Sequence, residues 1–132
     1  MTKTIQQSVR LPATPDDLYD SYLDAKQHAA ITGGKVTISA REGGKFTAFD
    51  GMLRGRNLLI VPKRLIVQAW RSAQWKDSDL DSILILEFSR VSGGGRIELT
   101  HVNVPRHDHH GVIEGWKKYY WKPWRKYLRQ LS

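Results

Sequence analysis

The sequence contains no cysteine, which excludes disulfide staples, thiol catalysis and zinc ribbons. It contains no apolar run near the roughly 18 to 20 residues that a spanning helix needs. The stretch Asn57-Leu58-Leu59-Ile60-Val61 ends at Pro62. Met1 to Arg10 holds no apolar core followed by a small-residue cleavage site. No secretion signal is therefore read there, and a cytoplasmic location is expected. Catalytic signatures are missing too: there is no G-x-S-x-G, H-E-x-x-H, Walker loop or dinucleotide fingerprint, and no pair of carboxylates spaced for acid/base work. Nothing repeats at a fixed period and no segment is of low complexity. What remains is a chain of 132 residues, 40% hydrophobic and 26% charged, read as one domain over residues 1–132. Acidic residues are scarce, 13 against 21 basic ones for a net charge of +8, so an anionic partner is the first thing to look for.

Alternation of Ile5, Gln7, Val9 and Leu11 with Gln6, Ser8 and Arg10 predicts a strand over Thr4–Leu11, ended by Pro12. Thr14-Pro15-Asp16-Asp17 offers a hydroxyl cap, a proline at the first helical position and carboxylates beside the positive end of the dipole. A helix from Pro15 towards Leu23 follows. Asp24-Ala25-Lys26-Gln27 caps a second one, stopped by Gly33-Gly34. From Lys35 to Val104 β-branched and aromatic residues predict six strands, about Lys35–Arg41, Lys45–Asp50, Met52–Val61, Arg64–Ser72, Ser82–Val91 and Arg96–Val104. Short connections such as Asp50-Gly51 and Pro62-Lys63 make them an antiparallel meander.

In the last segment, His109 to Leu131, the residues Ile113, Trp116, Tyr120, Trp124, Tyr127 and Leu131 fall at helical spacing on one face. Such a face needs a broad apolar partner, and the sheet is the only candidate. Pro123 sits inside this pattern and removes the bond to the Tyr119 carbonyl, so a local irregularity is expected there. Lys118, Lys122, Arg125 and Arg129 form a basic stripe on the same helix, and residues 111–132 carry +5 of the total charge.

A β-α-α-β6-α order with a long C-terminal helix held by a curved sheet resembles the helix-grip fold of the START and birch-pollen-allergen superfamily. The class is α+β: a seven-stranded curved antiparallel sheet around a long C-terminal helix, with two short helices after the first strand. Particular residues narrow the likeness. Phe49-Asp50-Gly51, Gly55-Arg56-Asn57, Ile66-Val67-Gln68-Ala69-Trp70-Arg71 with Trp75, Ile97-Glu98-Leu99-Thr100-His101 leading to Val104-Pro105, and Gly115-Trp116 followed by Tyr119-Tyr120-Trp121 and Pro123 resemble the C-terminal domain of activators of the heat shock protein 90 ATPase. The likeness runs from Ile5 to Leu131. It implies a stress-response co-chaperone role with a heat shock protein 90 type chaperone as partner. In the eukaryotic co-chaperones this domain follows a separate N-terminal one, for which the sequence shows no counterpart.

Two surfaces compete for function. Ile97, Leu99 and His101, with Leu84, Leu86 and Phe88, face inward if Glu98 and Glu87 face solvent. With Phe46, Gln68, Trp70, Trp116 and Tyr120 they would line either a packed core or a cavity. The superfamily resemblance implies a small hydrophobic ligand in such a cavity, with His101 and Gln68 orienting it. Leu99→Trp is the expected blocking change. The basic stripe Lys118, Lys122, Arg125 and Arg129 would dock an acidic chaperone surface, or be a solvated face. The sequence lacks a helix-turn-helix, zinc finger or RRM-type pattern, which argues against nucleic acid, and the apolar face of the helix is needed by the sheet rather than by lipid.

Weaker candidates complete the set. His107-Asp108-His109-His110 offers metal-ligand types, but neighbours in sequence seldom converge on one centre; Asp108 is instead expected to cap the helix. Asp77-x-Asp79-x-Asp81 lacks the Gly and the distal acid of a calcium loop. The Gly93-Gly94-Gly95-Arg96 run is a hairpin turn. His101 with Asn103 is the one inward polar pair available to a cyclase or hydrolase, and no catalytic residue, metal or cofactor is expected.

Overall fold

A computed structural model describes residues 2–131. Seven strands, β1 (Thr2–Leu11), β2 (Thr37–Ile38), β3 (Lys45–Ala48), β4 (Leu53–Val61), β5 (Leu65–Ser72), β6 (Ser82–Val91) and β7 (Gly94–Pro105), form one antiparallel sheet in the order β1-β7-β6-β5-β4-β3-β2. Between β1 and β2 run α1 (Pro15–Leu23) and α2 (Ala25–Thr32). After a 3-10 turn, Arg106–Asp108, the chain ends in α3 (His109–Trp116), a π-helical turn over Lys117–Trp121 and α4 (Lys122–Leu131). The fold is the α+β helix-grip expected from the sequence.

The caps form as expected. Thr14 Oγ1 accepts from the Asp17 amide at 3.2 Å, Asp24 Oδ1 from the Lys26 amide at 2.9 Å, and Gly33 closes α2 at φ +80°. The sheet curves at two register shifts, between Lys3 and Ile5 against β7 and between Asn57 and Leu59 against β5. At Gly55 a Cβ would fall 1.8 Å from the Ala69 carbonyl oxygen, so only glycine lets β4 lie this close to β5.

Two expectations need correction. β2 spans Thr37–Ile38 rather than Lys35–Arg41, because the Asn57 amide Nδ2 donates to the carbonyls of Ser39 and Arg41 at 2.8 and 3.1 Å and holds them out of a ladder. On the C-terminal helix the buried residues are Val112, Trp116, Tyr120, Trp121, Trp124 and Leu128, whereas Ile113 and Tyr127 are half-buried and Leu131 is exposed. From 112 to 128 this face repeats every four residues, which drifts about 40° per step in a regular α-helix. The wider turn, in which the Lys122 amide reaches back five residues to the Lys117 carbonyl, absorbs part of that drift and brings Trp121 inside. It also places the missing amide of Pro123 just after a turn that has already left the i to i−4 pattern.

Candidate functional site

The space between sheet and helix is filled by ring systems. Trp70, Trp116, Tyr120, Trp121 and Trp124 are all buried. Trp116 lies 6.1 Å from Trp70 and 4.6 Å from Tyr120, centroid to centroid. The polar groups among them satisfy one another. Trp116 Nε1 donates to His101 Nδ1 at 3.1 Å, so His101 carries its proton on Nε2 and gives it to Ser82 Oγ at 2.8 Å. Ser82 in turn donates to the Trp70 carbonyl at 2.6 Å. A second chain runs from Tyr22 Oη to Gln68 Oε1, 3.0 Å, and from Gln68 Nε2 to Asn57 Oδ1, 2.9 Å. In a third, His28 Nδ1 donates to the Tyr22 carbonyl at 2.8 Å, leaving Nε2 to accept from Tyr120 Oη at 2.9 Å.

Burial pushes His28 down to about 4 and His101 to about 3, so both are neutral, and it raises the Tyr22 and Tyr120 hydroxyls. Of the buried side-chain donors and acceptors described, the Trp124 indole nitrogen alone lacks a partner.

The inward-facing residues expected along the cavity, Phe46, Gln68, Trp70, Leu86, Phe88, Leu99, His101, Trp116 and Tyr120, are all buried. Phe88 packs edge-on against Tyr19, 5.7 Å away. A pocket of about 460 Å³ at one end of the helix touches Trp70, Trp116 and Tyr120 of the nine and none of the other six. Its rim is Phe49, Met52 and Tyr119, and its helical wall carries Gly111, which makes way for the Asp108 carboxylate, and Gly115, whose missing side chain leaves room. A Cβ at Gly115 would meet nothing nearer than the Tyr119 ring at 3.8 Å. Phe49 and Asp50 take φ of 51° and 55°, unusual for such side chains, and the Phe49 ring stands edge-on to Tyr119 and Tyr120. Gly111, Gly115 and Tyr119 at steps of four were the available sequence signal for this pocket. Leu99 does not line it, so Leu99→Trp would probe packing rather than occupancy.

A second concavity, about 970 Å³, runs between β1 and the C-terminal helix. Lys117, Lys118, Lys122 and Arg125 line it with a single carboxylate, Glu114, which lies 3.7 Å from Lys117. Three residues of the expected basic stripe, Lys118, Lys122 and Arg125, thus share one groove, while Arg129 lies a turn beyond. Lys117 was missed because it stands outside the stripe's spacing; it follows the groove residues Ile113 and Glu114 by one helical turn and so shares their face. Arg125 donates to the Arg10 carbonyl at 2.7 Å. Gln7 ties the strand to the helix from within, giving Nε2 to the Ile113 carbonyl at 3.1 Å and taking the Trp121 indole proton at 2.7 Å.

The other candidates are structural. Asp108 accepts from Trp75 Nε1 at 2.8 Å and makes no capping bond with its side chain, contrary to expectation. His107 pairs with Asp79 at 2.8 Å, which lowers the Asp79 carboxyl below its ordinary value. Arg71 holds Asp81 and the Lys76 and Asp79 carbonyls. No group of three metal-ligand side chains converges among the described residues. His28 is buried under Tyr120 and is taken up by the Tyr22 carbonyl and the Tyr120 hydroxyl. Asn103 is no partner of His101: at φ 62° its amide turns to the Asp81 carbonyl. No helix among the described residues is long and apolar enough to cross a membrane.

The profile of the family described as Activator of Hsp90 ATPase homolog 1-like protein matches residues 12–129. A Dictyostelium discoideum protein described as an activator of 90 kDa heat shock protein ATPase homolog is 30% identical over 89% of this chain and 30% of its own length. The human homolog 1 is 28% identical over 83% of this chain and 32% of its own. The chain therefore spans about a third of these relatives. Among solved structures, an HSP90 activator from Plasmodium falciparum superposes with a TM-score of 0.77 at 25% identity, covering 89% of each chain. Ara h 8.0201 superposes at 0.78 with 9% identity, which is a likeness of fold alone. The residues that carried the resemblance are those the structure uses: Phe49-Asp50-Gly51 turns the chain at the pocket rim, and Asn57, Gln68, Trp70, His101, Trp116 and Tyr120 join the interior networks. By its profile and its architecture, the chain belongs to the Activator of Hsp90 ATPase homolog 1-like family.

Proposed function

We propose that this chain is a non-enzymatic docking domain that uses the groove of Lys117, Lys118, Lys122 and Arg125 to engage an acidic surface of an Hsp90-type chaperone and stimulate its ATPase. The observation that carries the reading is the gathering of four cationic side chains along one groove, with one carboxylate among them. Electrostatic complementarity of this kind raises association rates and selects partners. Supporting it, the Plasmodium falciparum protein described as an HSP90 activator matches over 89% of its own length, so a domain of this size bears that description. The test is the ATPase rate of a purified Hsp90 chaperone titrated with the protein at low and high salt. Stimulation should appear at low salt and be lost in Lys118→Glu/Lys122→Glu/Arg125→Glu with the fold intact. No stimulation by the unaltered protein, or equal stimulation by the variant, would overturn the reading.

The aromatic pocket favours a second reading, the binding of a small, flat apolar molecule between Phe49, Tyr119 and Trp116. Its volume of about 460 Å³ lies within the roughly 300–1,000 Å³ of ligand sites. Gly115→Leu fills it without displacing backbone. Quenching of tryptophan fluorescence by an aromatic ligand panel should occur in the unaltered protein and fail in that variant; absence of any response would rule the pocket out.

A further inference from the structure

The two edges of the sheet are unlike. β2, at one end, is two residues long. β1, at the other, is ten residues long and pairs only with β7. A long unpaired edge is a template for another strand, and proteins normally shorten or cover it.

The direction in which β1 presents its backbone follows from two contacts. Arg125 reaches the Arg10 carbonyl from the helix side at 2.7 Å. The Leu11 carbonyl oxygen points the other way, so close to β7 that a Cβ on Gly94 would lie 2.2 Å from it. Within an antiparallel ladder the N–H and C=O of one residue point to the same side and those of the next residue to the opposite side. No register shift interrupts β1 between Ile5 and Leu11, so the amides and carbonyls of Gln6 and Ser8 face the groove along with that of Arg10. Among the described residues no other strand takes them up. The groove floor is Thr4 to Val9, and its far wall holds Lys117, Lys118, Lys122 and Arg125.

The dimensions match. Thr4 to Ser8 advances about 13 Å at strand rise, and Lys117 to Arg125 about 12 Å at helix rise. We infer that the groove accepts an extended acidic polypeptide segment as an eighth strand on β1, its backbone paired with Gln6 and Ser8 and its carboxylates, on alternate residues, facing the helical lysines. The recognition mode is strand addition with side-chain selectivity. The Gln7 clamp to Ile113 and Trp121 holds the two walls at fixed separation, so little ordering is needed on binding. Arg125 occupies the Arg10 carbonyl and closes one end, limiting the added strand to four or five residues. The inference rests on reading this groove as a docking surface and specifies what occupies it.

The test uses a fluorescein-labelled nine-residue peptide alternating Glu with Val and Thr, and the same peptide N-methylated at every second residue, which keeps the charges and removes one edge of donors. Anisotropy titrations should show N-methylation weakening binding at least about tenfold. Gln6→Pro should do the same, since its amide faces outward and proline is tolerated on an edge strand. Amide exchange at Gln6 and Ser8 should slow on adding the unmethylated peptide. If both peptides bind equally and exchange at Gln6 and Ser8 is unchanged, strand addition is overturned while the docking reading stands on the chaperone ATPase assay. If the unmethylated peptide fails to bind even at low salt, the acidic-strand occupant is overturned, again independently of that assay. Because the methylated peptide is tested on the unaltered protein, the result does not depend on Gln6→Pro folding.

Discussion

The C-terminal helix has two sides that solve opposite problems. Towards the sheet, Trp116, Tyr120 and Trp124 are buried, and the polar atoms around them are matched inside the protein, from Trp116 through His101 and Ser82 to the Trp70 carbonyl. Towards β1, lysines and an arginine face a strand edge that pairs with no further strand among the described residues. An interior satisfied at every described side-chain donor and acceptor but the Trp124 indole nitrogen has little left to offer a ligand, because inserting a guest means breaking a bond. An unmatched edge beside clustered charge retains both its hydrogen bonds and its field for something else. On the docking reading proposed above, stability is concentrated on one side of the helix and recognition on the other.

That contrast can be broken from the interior first. Trp116→Ala removes a packed ring and orphans His101 Nδ1, and should lower unfolding free energy by about 3–5 kcal/mol, read from urea denaturation. A loss below about 1 kcal/mol would mean that the rings are not packed as described. Acid should act on the same side. His28 and His101 titrate in the folded protein at about 4 and about 3, below their ordinary value near 6.5, so the unfolded chain binds more protons as pH falls. The stability they confer is complete above pH 6.5 and is lost progressively towards pH 4 and pH 3, at up to about 1.4 kcal/mol per pH unit for each. A denaturation profile flat from pH 7 to 5 would contradict neutral buried histidines.

Smaller effects sharpen the comparison. Asp24→Ala, which removes the α2 cap far from the groove, should cost about 1 kcal/mol and leave peptide binding unchanged. Lys118→Glu with Lys122→Glu should leave the urea midpoint where it is, since these side chains are exposed, while weakening the acidic peptide by about tenfold or more. If the pair instead lowers the midpoint as much as the cap does, the groove charges are structural and the division between the two sides fails.

The fold was legible to an unusual depth where periodicity is local. Ser82–Val91 is a strand with those same bounds in sequence and structure, because Leu84, Leu86 and Phe88 alternate cleanly with outward residues. Thr14 and Asp24 announced both short helices. Less was legible wherever a distant residue decides. Nothing near Ser39 or Arg41 tells that Asn57, on β4, takes their carbonyls and shortens β2. The burial of Trp121 depends on a π turn that shifts the helical phase around Pro123. Among the nine inward residues the sequence assigned orientation correctly, yet it left open whether they enclose space. The open pocket lies at Gly115, where a side chain is missing, and at Phe49, where the backbone turns through a positive φ.

By itself the sequence determined the element order, the inward faces of β6 and β7, the excess of positive charge and its concentration in residues 111–132, since each depends on residue type and short-range spacing. Only the tertiary structure decided that Lys117, Lys118, Lys122 and Arg125 stand opposite the free edge of β1, and that His101, Gln68 and His28 are already bonded. Those facts join residues from 6 to 115 positions apart, and their partners are chosen by how the helix seats in the sheet, a geometry that no local pattern encodes.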